Sequence, residues 1–295
     1  MSTLDERLAQ RTSLGTWTFD NRFDYRAGLG RIYGYDDSSE PPIEPGGPTD
    51  PDAIAYIAAV EAADGQALED GVQAAYDDFF IGCKADGIWS AIKASCILAG
   101  ARTLSGALVP LVGTAPTNFN FVSGDYDRET GLVGDGSTKY LNSNRNTNAD
   151  PQNNYSVSVW ISTAGTPLNS TQLYIGAQST IQGTTSLGIS SSQLFTRNRS
   201  LGFKFLGSSA QTGFLGHSRS ESANYVTRSG QTNVTQQESS QAPSNSETSI
   251  FAETGTALYR SNARLAFYSI GESLDLAALD TRVSNLITAI GVAIP

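Results

Sequence analysis

Residues 153–163, NNYSVSVWIST, constrain this chain more than any other stretch, because Tyr155, Val157 and Val159 alternate there with Ser156, Ser158 and Trp160. A period of two is the pattern of a strand with one face buried and the other in water. The preceding LVGDGSTKYL, residues 132–141, reads as a tight turn leading into paired strands. Everything C-terminal of it is therefore expected to form a β-sandwich, a pattern that supports a binding or structural module more readily than an enzyme.

Strand candidates recur between Gly, Ser and Asn turns at residues 118–122, 138–142, 155–162, 172–176, 185–190, 202–206, 212–217, 224–227 and 264–270. Short strands at this spacing favour an antiparallel sandwich or jelly roll. The last element differs. Ser273 reads as the cap of a run in which Leu276, Leu279, Val283, Leu286, Ile287 and Ile290 repeat at helical intervals, so a C-terminal helix is expected to close the domain.

Composition shifts divide the 295 residues into three parts. Residues 1–50 read as an extended arm that ends in the Pro/Gly-rich linker SSEPPIEPGGPTD. Its Trp17, Phe19, Phe23, Tyr25, Tyr33 and Tyr35 are interleaved with Arg11, Arg22, Arg26 and Arg31. Aromatic and Arg side chains dominate interface hot spots, since they bury area while their polar tips stay satisfied. The functional reading is a docking arm; the plain alternative is that these rings pack on the chain's own later domain.

Residues 51–112 read as a small helical block. Asp50 followed by Pro51 is a helix start, with Ala53, Tyr56, Ile57 and Val60 on one face. A second helix carries Leu68, Val72, Ala75, Tyr76 and Phe79, and a third, short one is expected through Ile88, Trp89 and Ile92. Glu61, Asp64, Glu69, Asp70, Asp77 and Asp78 read as a solvated face. So small a block buries little alone and is expected to pack on the β domain, residues 113–295, or on neighbouring copies.

Charged residues are 16% of the chain, with 19 Lys and Arg against 29 Asp and Glu and a net charge of -10. That balance argues against nucleic acid as a partner, because counterion release needs clustered basic side chains. Uncharged polar residues supply the surface instead, as suits extracellular and particle-borne β proteins. Met1 is followed by STLDERLAQR, without the basic start and apolar core of a secretory signal, so the chain is expected to begin in a cytoplasm. Residues 97–112 are interrupted by Gly100, Arg102, Gly106 and Pro110, and no membrane insertion is expected. Cys83 and Cys96, both in apolar surroundings, read as free buried thiols.

The series GLVGDGSTKYL, YSVSVWIST, TSLGIS and ARLAFYSIGESLDLAALDTRVSNLI resembles the concanavalin A-like, laminin-G-type jelly roll of bacteriophage virion proteins. The segment from DPDAIAYIAAVEAADGQ to LVGTAPTNF is similar to the helical lead-in that accompanies that domain. The resemblance covers residues 50–295. It implies a tail, neck or fibre-like appendage, located on the virion, that docks on other virion proteins through the arm and presents the jelly roll outward to host-surface glycans. A capsid decoration or cement protein is the alternative. Both need symmetric assembly, and the resemblance suggests a trimer.

The paired acids that glucanases of this fold carry as Glu-x-Asp-x-x-Glu are not present, and no enzymatic activity or cofactor is expected. His217, the only histidine, reads as a surface residue of a polar strand. Asp125, Asp127 and Asp135 offer hard oxygen ligands that laminin-G-type domains use for calcium, but their spacing fits solvated turn carboxylates better and no metal is assigned. Trp160 and Tyr174 offer a platform for a sugar ring, against the plainer reading as core residues.

Overall fold

The structure, a computed structural model, describes residues 47–177, 183–208, 212–253 and 259–294. The arm residues Trp17, Phe19, Phe23, Tyr25, Tyr33 and Tyr35 lie outside the described residues. Helix α1 (Pro51–Asp64) begins as its sequence dictates: the Asp50 carboxylate accepts from the N–H groups of Asp52 and Ala53, Pro51 takes the first helical position, and Gly65 ends the helix at φ 70°. Helix α2 (Asp70–Ala85) follows, burying Val72, Ala75, Tyr76, Phe79, Phe80 and Cys83.

The acidic residues of this region do not form one solvated face. Asp77 is buried and accepts from the N–H groups of Thr49 and Asp50 at 2.9 and 2.8 Å. Asp64 accepts from the N–H groups of Arg102 and Thr103 at 2.7 and 2.9 Å, and Glu69 takes both arms of Arg128 at 3.0 and 2.6 Å. Glu61 accepts from the Leu68 N–H, which leaves Asp70 and Asp78 as the exposed pair. These carboxylates satisfy backbone donors that the tight connections would otherwise leave orphaned.

The expected third helix is a single 3-10 turn, Trp89–Ala91, that leads directly into strand β1 (Ile92–Ile97). Ala94, Ser95, Cys96 and Ile97 are all buried, so the strand shows no alternation to read. It pairs antiparallel with β15 (Arg264–Gly271), Ile97 opposite Phe267 and Ala94 opposite Ile270. The block 51–112 thus contributes a strand to the sandwich.

Two antiparallel sheets form the body. The first contains β3 (Tyr126–Asp127), β4 (Gly131–Val133), β6 (Tyr155–Thr163), β11 (Gly213–Arg219), β12 (Asn224–Ser229) and β13 (Thr232–Gln237), in the order β13-β12-β11-β6-β15-β4-β3 with β1 also on β15. The second contains β2 (Thr117–Phe119), β5 (Tyr140–Asn146), β7 (Gln172–Ala177), β8 (Thr184–Ser190), β9 (Gln193–Ser200), β10 (Lys204–Ser208) and β14 (Glu247–Ile250), in the order β10-β9-β8-β7-β14-β5-β2. The chain is therefore the mainly-β, jelly-roll-type sandwich that its alternating strands imply.

Val157, Val159 and Ile161 of β6 meet Ile175, Leu187 and Ile189 of the second sheet, each essentially free of solvent. Burial of each such side chain contributes about 1.5–3 kcal/mol. The outer face of the first sheet carries a third layer, where Phe214, Ala266 and Phe267 pack against α1, α2 and the C-terminal helix α4 (Leu276–Ala293). The register of β15 with β6 shifts between Leu265 and Phe267, so the consecutive Ala266 and Phe267 both join the outer layer while Leu265 and Tyr268 face the sandwich core. A single turn, α3 (Leu104–Ala107), lies between β1 and β2.

Asp275, not Ser273, caps α4: its carboxylate accepts from the N–H groups of Ala277 and Ala278. Ser273 instead donates its N–H and hydroxyl to Asn154 Oδ1 at 2.7 and 2.6 Å. By length and composition α4 alone among the described helices qualifies as a membrane span. Its stripe of Leu276, Leu279, Val283, Leu286 and Ile290 is buried in the core it shares with α2.

Candidate ligand-binding site

The alternation that sends Leu187, Ile189 and Leu194 inward sends Ser186, Ser190 and Phe195 to the outer face of the second sheet. β10 repeats the pattern at the sheet edge, with Leu206 packed on the core and Phe205 outward. The result is an open cavity of ≈ 240 Å³ lined by Leu173, Ser186, Ser190, Phe195, Phe205 and Glu253, with Thr171, Phe203 and Tyr259 at its wall. Gly188, between the two serines, is obligatory, since a Cβ there would lie 2.2 Å from the Gln172 carbonyl oxygen.

Three phenyl rings build one side. Phe195 is buried and supports the other two, with ring centres 5.2 Å from Phe203 at an angle of 88° and 6.3 Å from Phe205. Phe203 and Phe205 remain 50% and 52% exposed, which is unusual for phenylalanine and leaves part of each ring open to a ligand. The Arg197 guanidinium lies 3.8 Å over the Phe203 ring and donates to the Leu201 carbonyl, holding the edge in place. Glu253, 8% exposed, lines the same cavity. Burial raises its pKa above the ordinary carboxyl value, with the Arg197 charge acting in the opposite sense. Among the described residues no donor hydrogen-bonds its carboxyl group.

Trp160 and Tyr174 do not come together. Tyr174 is enclosed between the sheets, whereas Trp160 is half-buried on the opposite, helix-covered face of the first sheet, in a cleft with Phe214, Gln231 and Asp280. The three turn aspartates also act separately. Asp125 pairs with Lys139 at 2.5 Å, Asp127 accepts from the Glu129 and Thr130 N–H groups, and Asp135 accepts from those of Ser137, Thr138 and Lys139. Among the described residues no group of three or more His, Cys, Asp or Glu side chains is placed to hold a metal. Cys83 and Cys96 are free and buried, and burial pushes both thiols up to about 12.

His217 corrects the surface reading. It is fully enclosed between β11 and β9, with Nδ1 2.7 Å from Asn198 Nδ2 and its ring edge-on to Tyr225 at 5.8 Å. Burial, reinforced by the Arg219 charge, pushes its pKa down to about 3, so the imidazole is neutral. Leu215 and His217 alternate inward along β11, and the row continues into Arg219, making this end of the sandwich interior polar.

No family model and no curated protein matches the sequence. Among solved structures, domain 4 of AbnA, a GH43 extracellular arabinanase from Geobacillus stearothermophilus, in complex with arabinotriose, matches at 12% identity and TM-score 0.39 over 67% of this chain and 99% of that one. Mouse laminin alpha1 chain domains LG4-5 match at 13% identity and TM-score 0.35 over 57% of this chain and 47% of that one. A NanB sialidase from Streptococcus pneumoniae matches at 11% identity and TM-score 0.38, over 51% of this chain and 27% of that one. The chain thus spans about half of the laminin pair and about a quarter of the sialidase. The fold class stands on the two sheets themselves.

Proposed function

We propose that this protein binds carbohydrate on the outer face of its second sheet, without catalysing a reaction, as a bacteriophage virion appendage of the tail, neck or fibre-like kind. The observation that carries the glycan reading is the cavity that half-exposed Phe203 and Phe205 line together with Glu253, Ser186 and Ser190, the Ser190 hydroxyl sharing a 2.8 Å hydrogen bond with that of Thr171. A sugar ring presents C–H groups on its faces and hydroxyls at its rim, so it needs an aromatic surface beside a few placed polar groups. At ≈ 240 Å³ the cavity is below the ~300–1,000 Å³ of ordinary small-molecule pockets, which suits a single terminal ring with the rest of the glycan in solvent.

The virion location is supported by the sequence resemblance of residues 50–295 and by the aromatic and Arg-rich residues 1–50. The test is titration of the full-length protein with host-surface polysaccharide and its component oligosaccharides, beside a Phe203→Ala/Phe205→Ala variant. Saturable binding that the double variant loses supports the reading. Absence of binding to any host-surface polysaccharide overturns it and favours a decoration or cement role on the capsid.

A further inference from the structure

The edges of the two sheets are not protected alike. β3 is two residues long and β2 three. β10 is broken by a register shift between Phe205 and Ser208, with Gly207 at φ 92°, and carries Lys204. The free side of β1 is covered by the chain near Val112, whose carbonyl accepts the Ser95 N–H at 3.1 Å. Short length, bulges, charges and covering segments are the devices by which sheets avoid edge-to-edge pairing.

Among the described residues β13 has none of them. It runs six residues, TNVTQQ, in unbroken register with β12 from Asn224–Gln237 to Ser229–Thr232. The connecting Gly230 and Gln231 have φ 54° and 63°, the signature of a two-residue hairpin turn. Five of its residues are exposed, and it contains neither a charge nor a proline. The flanking charges are neutralised within the chain, Arg228 by Asp280 at 2.7 Å and Glu238 by Lys204 at 2.8 Å.

We infer that β13 is a pairing edge whose occupant is the β13 of a second copy of this chain, antiparallel across a two-fold axis, joining the two first sheets into one. The chemistry favours a copy. Each chain carries a net charge of -10, and β13 offers two such chains an edge with no charge at the seam. A two-fold axis normal to the sheet must pass through a residue, so that like faces oppose one another; set at mid-strand on Val234, it places Asn233 against Thr235 and Thr232 against Gln236. All of these pairs are neutral and fit across a ladder.

The full-length chain tests the register directly. Its only two cysteines are buried, so Val234→Cys supplies a single accessible thiol. Opposed Cα atoms in an antiparallel pair lie about 4.5–5.5 Å apart, within disulfide reach, whereas Thr232 residues of the two copies are offset by four positions, roughly 14 Å. Under mild oxidation V234C is expected to become a disulfide-linked dimer and T232C to stay uncross-linked. Sedimentation equilibrium is expected to show loss of this association in Val234→Lys, with an unchanged circular dichroism spectrum. Equal cross-linking of both cysteine variants, absence of cross-linking in V234C, or V234K associating like the wild type each overturns the proposal, the last two being the results expected if a strand from another protein is the true occupant.

Discussion

The Arg199 guanidinium lies 3.9 Å over the Tyr155 ring, and neither side chain reaches solvent. Arg199 donates to the carbonyl oxygens of Pro151 and Thr147, while Arg219, equally buried, donates to those of Asn198, Glu221, Ser222, Asn224 and Glu238. No carboxylate hydrogen-bonds either guanidinium among the described residues. The two arginines act as brackets that gather the loops at one end of the sandwich, with aromatic faces and backbone dipoles supplying the counter-field.

Lysine cannot replace either bracket, because a single ammonium lacks the planar fork with which Arg199 spans two separate carbonyls, and its three donors fall short of the five carbonyls that Arg219 meets. Arg199→Lys and Arg219→Lys are each expected to cost about 2–4 kcal/mol by leaving buried carbonyls unmet. Arg282→Lys, which alters only the partly exposed pair with Asp86, is expected to stay within about 1 kcal/mol. Urea unfolding midpoints of the three variants decide the matter.

This polar interior is also where the sequence was least legible. β9, QLFTRNRS, is a central strand that its two arginines disguise, and β13, exposed on both faces, has no apolar row to show. β1 is buried on both faces and likewise lacks a period. By contrast β6, β8, β11 and β15 lie within one or two residues of where alternation places them, because each has one face on the sandwich core. Of the candidate site, Phe203 and Phe205 stand at alternate positions in an expected strand, a readable signal. Glu253 joins them only through the tertiary fold.

His217 makes stability depend on pH with a definite sign. Its folded pKa of about 3 lies below the ordinary 6.5, so the unfolded chain binds a proton that the folded one refuses. Its contribution is fully present above pH 6.5 and is lost as pH falls from there towards 3. His217→Gln, which keeps a polar group beside Asn198, is expected to flatten the acid limb of the stability curve by up to one proton. Unfolding free energies measured between pH 7 and 4 for the two proteins give the difference; parallel curves would contradict the assignment.

Asp77 predicts a coupling between α2 and the segment that enters α1. Its two oxygens take the N–H groups of Thr49 and Asp50, and Asp50 in turn caps α1 and pairs with Lys84 at 2.6 Å. Asp77→Ala removes the acceptor and orphans two donors at once, which is expected to cost about 2 kcal/mol. Hydrogen exchange is the sharper measurement, since protection should fall first in α1 while β6 and β15 keep theirs.

The three phenylalanines of the outer cavity separate structure from binding. Phe195 is 2% exposed, so Phe195→Ala is expected to lose about 3–5 kcal/mol of stability. Phe203→Ala and Phe205→Ala remove half-exposed rings and are expected to change stability by no more than about 1 kcal/mol while abolishing glycan binding. Glu253 adds a control of the opposite sign. Burial raises its folded pKa, so the folded protein holds that proton more tightly than the unfolded chain, and stability declines as pH rises through and above the ordinary 4.5. Glu253→Gln is therefore expected to be more stable than the wild type at pH 7 and to converge with it in acid, yet to bind glycan more weakly. A variant that gains stability while losing ligand is what a residue retained for binding produces, and calorimetric titration beside thermal unfolding at pH 7 and pH 4 resolves both halves.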